Sequence, residues 1–260
     1  MLNNFFQSVF TREPDGELPT LPPRRPDMDE LDEVTFSVED VADKLAKLKP
    51  DKSPGLDQIH LHVLRECSNE MANPLFIIFS KSMQEEKISE DWRRAKVSPI
   101  FKKGSKTQAS NYRPVSLTSV PCKVMESLVR DAIVKHVSDY DLLSKEQHGF
   151  TSGRSYMTNL LVTLEDITRS LDEGFSIDVI YLDYCKAFDT APHRRLISKM
   201  KAYGISGKVL EWIADFLHNR KQQVGVRSGL SDWVDVLSGV PQGSVLGQFC
   251  SSCTSTTSLT

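Results

Sequence analysis

The stretch VIYLDYCKAFD, residues 179–189, puts one carboxylate at the tip of an apolar run and a second six residues on. Val179 to Leu182 read as a buried strand with Asp183 at its end. A carboxylate there is fixed by the sheet yet open to solvent, which suits a divalent cation gripping phosphate oxygens. An Asp at a strand end is also a common turn former or helix cap. Asp189, just ahead of a helix that Pro192 can open, fits that structural role better than Asp183 does. Two hydrolytic chemistries are excluded. A metal-dependent phosphatase of the haloacid-dehalogenase type needs a second Asp two residues after the first, and Cys185 stands there. Ser244 has Gln242 and Leu246 where a nucleophile elbow needs glycines. The histidines form no ligand set, since His60 and His62 are two apart on a predicted helix and face different ways.

The elements that must position these residues follow from periodicity. Ser37 and Asp40 form a capping box behind Phe36, and Val41, Leu45 and Leu48 make one apolar stripe that Pro50 ends. Helical periods follow around 59–66, 70–87, 119–138, 156–172, 192–203 and 207–219. Strands are predicted at 95–101, 113–117 and 176–183, with a hairpin formed by QQVGVRS and SDWVDVLS. Interleaved strands and helices make the class α+β or α/β. Residues 11–34 are rich in Pro and acid and read as a linker.

Charge is unevenly spread. Residues 1–43 carry eleven acids against three arginines, whereas 92–125 hold eight cations and no acid. That basic stretch could attract a polyanion or be a solvated face; charge alone does not decide. Five cysteines without framework spacing point to a reducing compartment, and no apolar run is long enough to span a bilayer. The expectation is an intracellular protein, nuclear or cytoplasmic, not secreted, with no signal-like N-terminus.

Six blocks occur in order: SPGLDQIH (53–60), DWRRAKVSPIFKKGSK (91–106), NYRPVSL (111–117), SKEQHGFTSGRS (144–155), YLDYCKAFDTAPH (181–193) and SGVPQGSVLG (238–247). Together they closely resemble the reverse transcriptase domain of non-long-terminal-repeat (LINE-type) retrotransposons of the jockey and CR1-like kind. The resemblance runs from about Met1 to Gly247. It implies an α+β fold: the fingers and incomplete palm of a right-hand polymerase, with largely helical fingers and a small antiparallel palm sheet. The expected organisation is a linker-like 1–35, fingers over 36–175, a partial palm over 176–247, and a disordered tail over 248–260.

The resemblance also implies roles. Asp183 and the backbone carbonyl of Tyr184 would hold two Mg²⁺ ions, and Asp183 would be catalytic. Arg113, with Lys102 or Lys103, would grip the triphosphate of a dNTP. Phe188 would stack under the incoming sugar and reject a 2′-hydroxyl, while Gln242 and Gly243 would lie against the nucleotide. Gln147, Gly149, Phe150 and Arg154 would contact the template. The implied partners are an RNA template and a DNA primer, with no membrane. The family's [YF]xDD motif does not occur in the sequence, so the 260-residue chain is expected to be inactive, and a non-catalytic nucleic-acid-binding remnant is the competing reading. The tail after Gly247 has thirteen residues, eight of them Ser or Thr. Plausible codons for it, shifted by one base, spell the family's continuation PVLFLLYINDLPD, so an out-of-frame origin is expected.

Overall fold

The computed structural model describes residues 1–14, 16–18, 20–144, 146–149, 153–181, 186–226 and 229–247. Helices α1 (Leu2–Gln7), α2 (Val38–Ala46), α3 (Leu61–Glu66), α4 (Ser68–Gln84) and α5 (Val120–Asp139) come first, with strands β1 (Arg94–Phe101) and β2 (Tyr112–Leu117) between α4 and α5. Then follow α6 (Tyr156–Asp172), α7 (Ala187–Thr190), α8 (His193–Ala202), α9 (Gly207–Leu217), β3 (Lys221–Val226), β4 (Gly229–Leu230) and β5 (Val234–Asp235).

Local signals place the helices well. The Ser37 hydroxyl accepts from the Asp40 N–H at 3.2 Å, and the Asp40 carboxylate accepts from the Ser37 N–H at 2.8 Å, which is the predicted capping box. Ser119 starts α5 with Pro121 in its first turn. His60 lies outside the helix it was assigned to: its Nδ1 accepts from the His62 N–H at 3.2 Å and caps α3.

One main core gathers α2, α4, α5, α8 and α9 around Phe79, Met125, Met200, Trp212 and Phe216. Trp212 and Phe216 stack with centroids 5.8 Å apart, and the indole N–H donates to Ser82 Oγ at 2.9 Å. A buried indole thus keeps its polar end satisfied. A second, small cluster lies on the sheet, where Phe6 of α1 packs on Val97 and Val224. Asn3 fixes the same helix by donating to the Asp232 carbonyl at 3.0 Å. Residues 24–34 run along α8 and α9, with Leu31 bridging Ile205 and its N–H bonded to the Gly204 carbonyl at 2.8 Å.

The five-stranded sheet runs β2-β1-β3-β4, with β5 also on β3. β1 and β2 are antiparallel, pairing Lys96 with Leu117 through Phe101 with Tyr112. β1 and β3 are parallel, Arg94 opposite Lys221 and Val97 opposite Val224. The sheet is therefore mixed where a small antiparallel one was expected, because the 119 residues between β1 and β3 give room for the crossover that a parallel pair needs. The predicted strand at 176–183 is not formed over 176–181, where Ile180 and Tyr181 are exposed by 82% and 87%. A strand needs a neighbour for its N–H and C=O groups, and among the described residues none pairs there.

Candidate nucleotide site

Two segments far apart in sequence are laced together beside β2. The first is α7 and the residues after it; the second is the loop 238–247. The Val240 N–H donates to the Phe188 carbonyl at 2.8 Å and the Gly239 N–H to the Ala191 carbonyl at 2.7 Å. The Ser238 hydroxyl donates to the Asp189 carbonyl at 2.7 Å, and His193 Nε2 lies 2.7 Å from the Gly239 carbonyl. Gly239 has φ +80°, and a Cβ there would sit 2.3 Å from the Phe188 carbonyl oxygen. Only glycine permits that approach.

The same loop docks on β2. The Ser116 N–H donates to the Gln242 carbonyl at 2.7 Å, and Gly243, at φ +115°, would bring a Cβ to 2.9 Å from the Ser116 carbonyl oxygen. Behind the turn, the Glu126 carboxylate of α5 accepts from the N–H groups of Val245 at 2.7 Å and Leu246 at 3.1 Å. Glu126 is fully buried. Burial pushes its carboxyl above the usual range, against the pull of those two N–H groups and the nearby Arg220 charge.

These attachments enclose a cleft of about 540 Å³ between α1, β2, α7 and the loop. Lys102, Arg113, Phe188 and Gln242 all line it, four of the residues assigned to nucleotide binding from the sequence. Lys102 lines it and Lys103 does not. Among the described residues the lining includes Lys102, Arg113 and Lys186, with Lys221 paired to Asp235 and Arg220 buried on the Phe216 and Trp92 carbonyls, against one acid, Asp189. Such an excess around a partly enclosed space favours a polyanion. Asp189 Oδ1 accepts from Gln242 Nε2 at 2.8 Å. Burial raises its pKa, while the Gln242 bond and the charges of Lys186 and Arg113 draw it back.

Asp183, Tyr184 and Phe150 lie outside the described residues. Among the described residues no three His, Cys, Asp or Glu side chains cluster as a cation cage. Gln147, Gly149 and Arg154 form a small loop of their own: Gln147 Nε2 donates to the Gly149 carbonyl at 2.8 Å, and Arg154 Nη1 reaches the Gln147 carbonyl at 3.4 Å. None of the three lines the cleft.

The basic stretch divides. Arg93 is partly buried and paired, its Nη2 donating to both carboxylate oxygens of Asp215 at 2.8 and 2.7 Å and its Nη1 to the carbonyls of Asp215 and His218. The guanidinium of Arg94 lies 5.8 Å from the Trp233 ring centroid. These two charges serve packing and leave Lys102 and Arg113 as the stretch's contribution to the cleft. Sequence reasoning missed Glu126 and the phenylalanines of α1. Glu126 could have been noticed, because it interrupts the apolar positions Cys122, Val129 and Ile133 on one face of α5. Nothing local signals that Phe5 and Phe10 line a cleft with residue 242.

No helix among the described residues is long and apolar enough to cross a membrane. A family model described as reverse transcriptase (RNA-dependent DNA polymerase) matches residues 100–256. The chain is 28% identical over 217 residues to a probable RNA-directed DNA polymerase from transposon BS of Drosophila melanogaster, covering 81% of this chain and 23% of that protein. It is also 28% identical over 212 residues to the RNA-directed DNA polymerase from mobile element jockey of Drosophila funebris, again covering 81% and 23%. The transposon X-element polymerase of Drosophila melanogaster matches at 27% over 209 residues, 80% of this chain and 23% of the relative. The chain thus spans about a quarter of the length of the curated relatives it matches. With its ordered blocks, its mixed helical and five-stranded fold and these matches, the chain belongs to the reverse transcriptase family, as a domain of the non-LTR retrotransposon kind.

Proposed function

We propose that the cleft binds the incoming deoxynucleoside triphosphate of an RNA-templated polymerase. The observation that carries this is convergence: Lys102, Arg113, Phe188 and Gln242 are spread over 140 residues of chain and meet at one cationic cleft. Arg113 offers a planar fork to phosphate oxygens and Lys102 a point charge. Phe188, fixed through its carbonyl to Val240, would present its ring to the sugar. Gln242 and Gly243 would lie along the nucleotide, and Gln147, Gly149, Phe150 and Arg154 would meet the template.

On this reading residues 36–175 are fingers, 176–247 part of a palm, and RNA template and DNA primer are the partners. Magnesium, which in this family assists attack by the primer 3′-hydroxyl, would be held by Asp183 and the Tyr184 carbonyl. The described residues do not by themselves form a site for it.

Binding is the appropriate test, because the second carboxylate motif is absent from these 260 residues. Titration of the chain with a fluorescent N-methylanthraniloyl dATP should show saturable binding that unlabelled dATP competes away. Arg113→Ala should weaken it by roughly 10- to 100-fold, the worth of one charge-assisted hydrogen bond. Binding that does not respond to Arg113→Ala would overturn the assignment.

A further inference from the structure

Asp189 does something other than cap a helix. α8 starts at His193 with Pro192 as its cap residue and no side-chain cap bond. The Asp189 carboxylate, half-buried at the end of α7, instead faces the cleft and takes the Gln242 amide at 2.8 Å. Its backbone is held as well, through the Ser238 hydroxyl on its carbonyl and the Val240 N–H on the carbonyl of Phe188. A carboxylate accepts and never donates, so it fixes which end of the Gln242 amide turns toward it. The NH₂ end is committed, and the carbonyl end is left to face away from Asp189 as an acceptor. A free Gln side chain loses rotamer entropy on meeting a ligand; one already held does not.

Among the described residues Asp189 is also the one acid in a lining that holds Lys102, Arg113 and Lys186. A carboxylate placed there works against the binding of a triphosphate unless it has another task. We propose that Asp189 is a positioning residue of the nucleotide site, which pre-orients the Gln242 amide so that its carbonyl oxygen is presented to the incoming nucleotide. This rests on the nucleotide-site reading above and adds to it a residue that touches no reacting atom.

The test is a mutant cycle read by dATP competition against the fluorescent analogue. Asp189→Ala removes the acceptor. Asp189→Ser, whose hydroxyl stops one bond short, removes the same contact while keeping a polar group, and replaces the alanine variant if that one does not fold. Asp189→Asn keeps an acceptor of equal reach. The Ala and Ser variants should bind dATP about tenfold more weakly, with Asn within about twofold of the parent. In a Gln242→Ala background the Asp189→Ala change should shrink below about twofold, since the group it acts through is gone.

Tighter binding by the Ala or Ser variant would show a charge with no positioning role and overturn the inference. Losses that simply multiply in the double variant would overturn it too. Arg113→Ala, measured alongside, separates the two levels. If it weakens binding while the Asp189 variants do not, only the Asp189 role falls. If it has no effect, the nucleotide site itself falls.

Discussion

Replacing Glu126 by Gln should keep the fold and remove a pH dependence of stability that the parent chain shows. Glu126 is wholly buried on α5, and its carboxylate accepts from the N–H groups of Val245 and Leu246, with Cys122 Sγ at 3.6 Å. Desolvating a carboxylate costs several kcal/mol. Two hydrogen bonds to a charged acceptor, at about 1.5–3 kcal/mol each, return only part of that, so burial favours the neutral carboxyl and leaves its pKa raised. A raised folded-state pKa means that this stabilisation is complete below the unfolded value of 4.5 and is lost as pH rises through the folded value. Gln at 126 can accept the same two bonds without the charge. The assay is urea unfolding of both proteins across the pH range above 4.5, plotted as the difference in unfolding free energy. Every other titrating group largely cancels in that difference. The parent should gain on the Gln variant as pH falls, by about 1.4 kcal/mol for each unit by which burial raises the pKa. Glu126→Ala, which strands two N–H groups and opens a cavity, should cost about 2–5 kcal/mol. A flat difference curve, or a parent that loses ground on acidification, would refute the buried-carboxylate reasoning.

Arg93→Ala should cost about 3–5 kcal/mol in a urea midpoint measurement, because it leaves the partly buried Asp215 carboxylate, which also accepts from the Ile88 N–H at 2.8 Å, without its fork. A loss below about 1 kcal/mol would mean that the ion pair behaves as a surface pair. Gly239→Ala should destabilise by at least about 2 kcal/mol, since φ +80° and the 2.3 Å approach to the Phe188 carbonyl both exclude a side chain. The same variant should lower affinity for the fluorescent nucleotide by displacing Phe188, and unchanged affinity would detach that residue from the site.

What could be read from the sequence was what local chemistry decides. The capping box at Ser37 and Asp40 spans three residues and appears as expected, and α6 has the predicted bounds. Pairings between distant segments were not legible. The apolar run at 176–181 has strand composition, but composition names no partner, and among the described residues nothing pairs with it. The parallel register of β1 on β3 rests on contacts more than a hundred residues apart. Asp189 shows the competition most clearly. An Asp three residues before Pro192 matches a local capping rule, yet its carboxylate is spent on a glutamine 53 positions away. The family resemblance named four residues that line the cleft, Lys102, Arg113, Phe188 and Gln242, and left the rest of its wall unnamed.

The anchoring of α1 has a consequence for the order in which the molecule can be assembled. Its bond from Asn3 reaches across 229 residues, and Phe6 rests on Val224 as well as Val97. A ribosome adding about 5–20 residues per second needs roughly 10–45 s to cover that distance. During that interval the first three phenylalanines, Phe5, Phe6 and Phe10, have been made while half of their seat has not. The segment is therefore made long before it can be fully seated. For that time it offers three exposed phenylalanines to chaperones and proteases, and the wall it contributes to the cleft closes only after the rest of the sheet is in place.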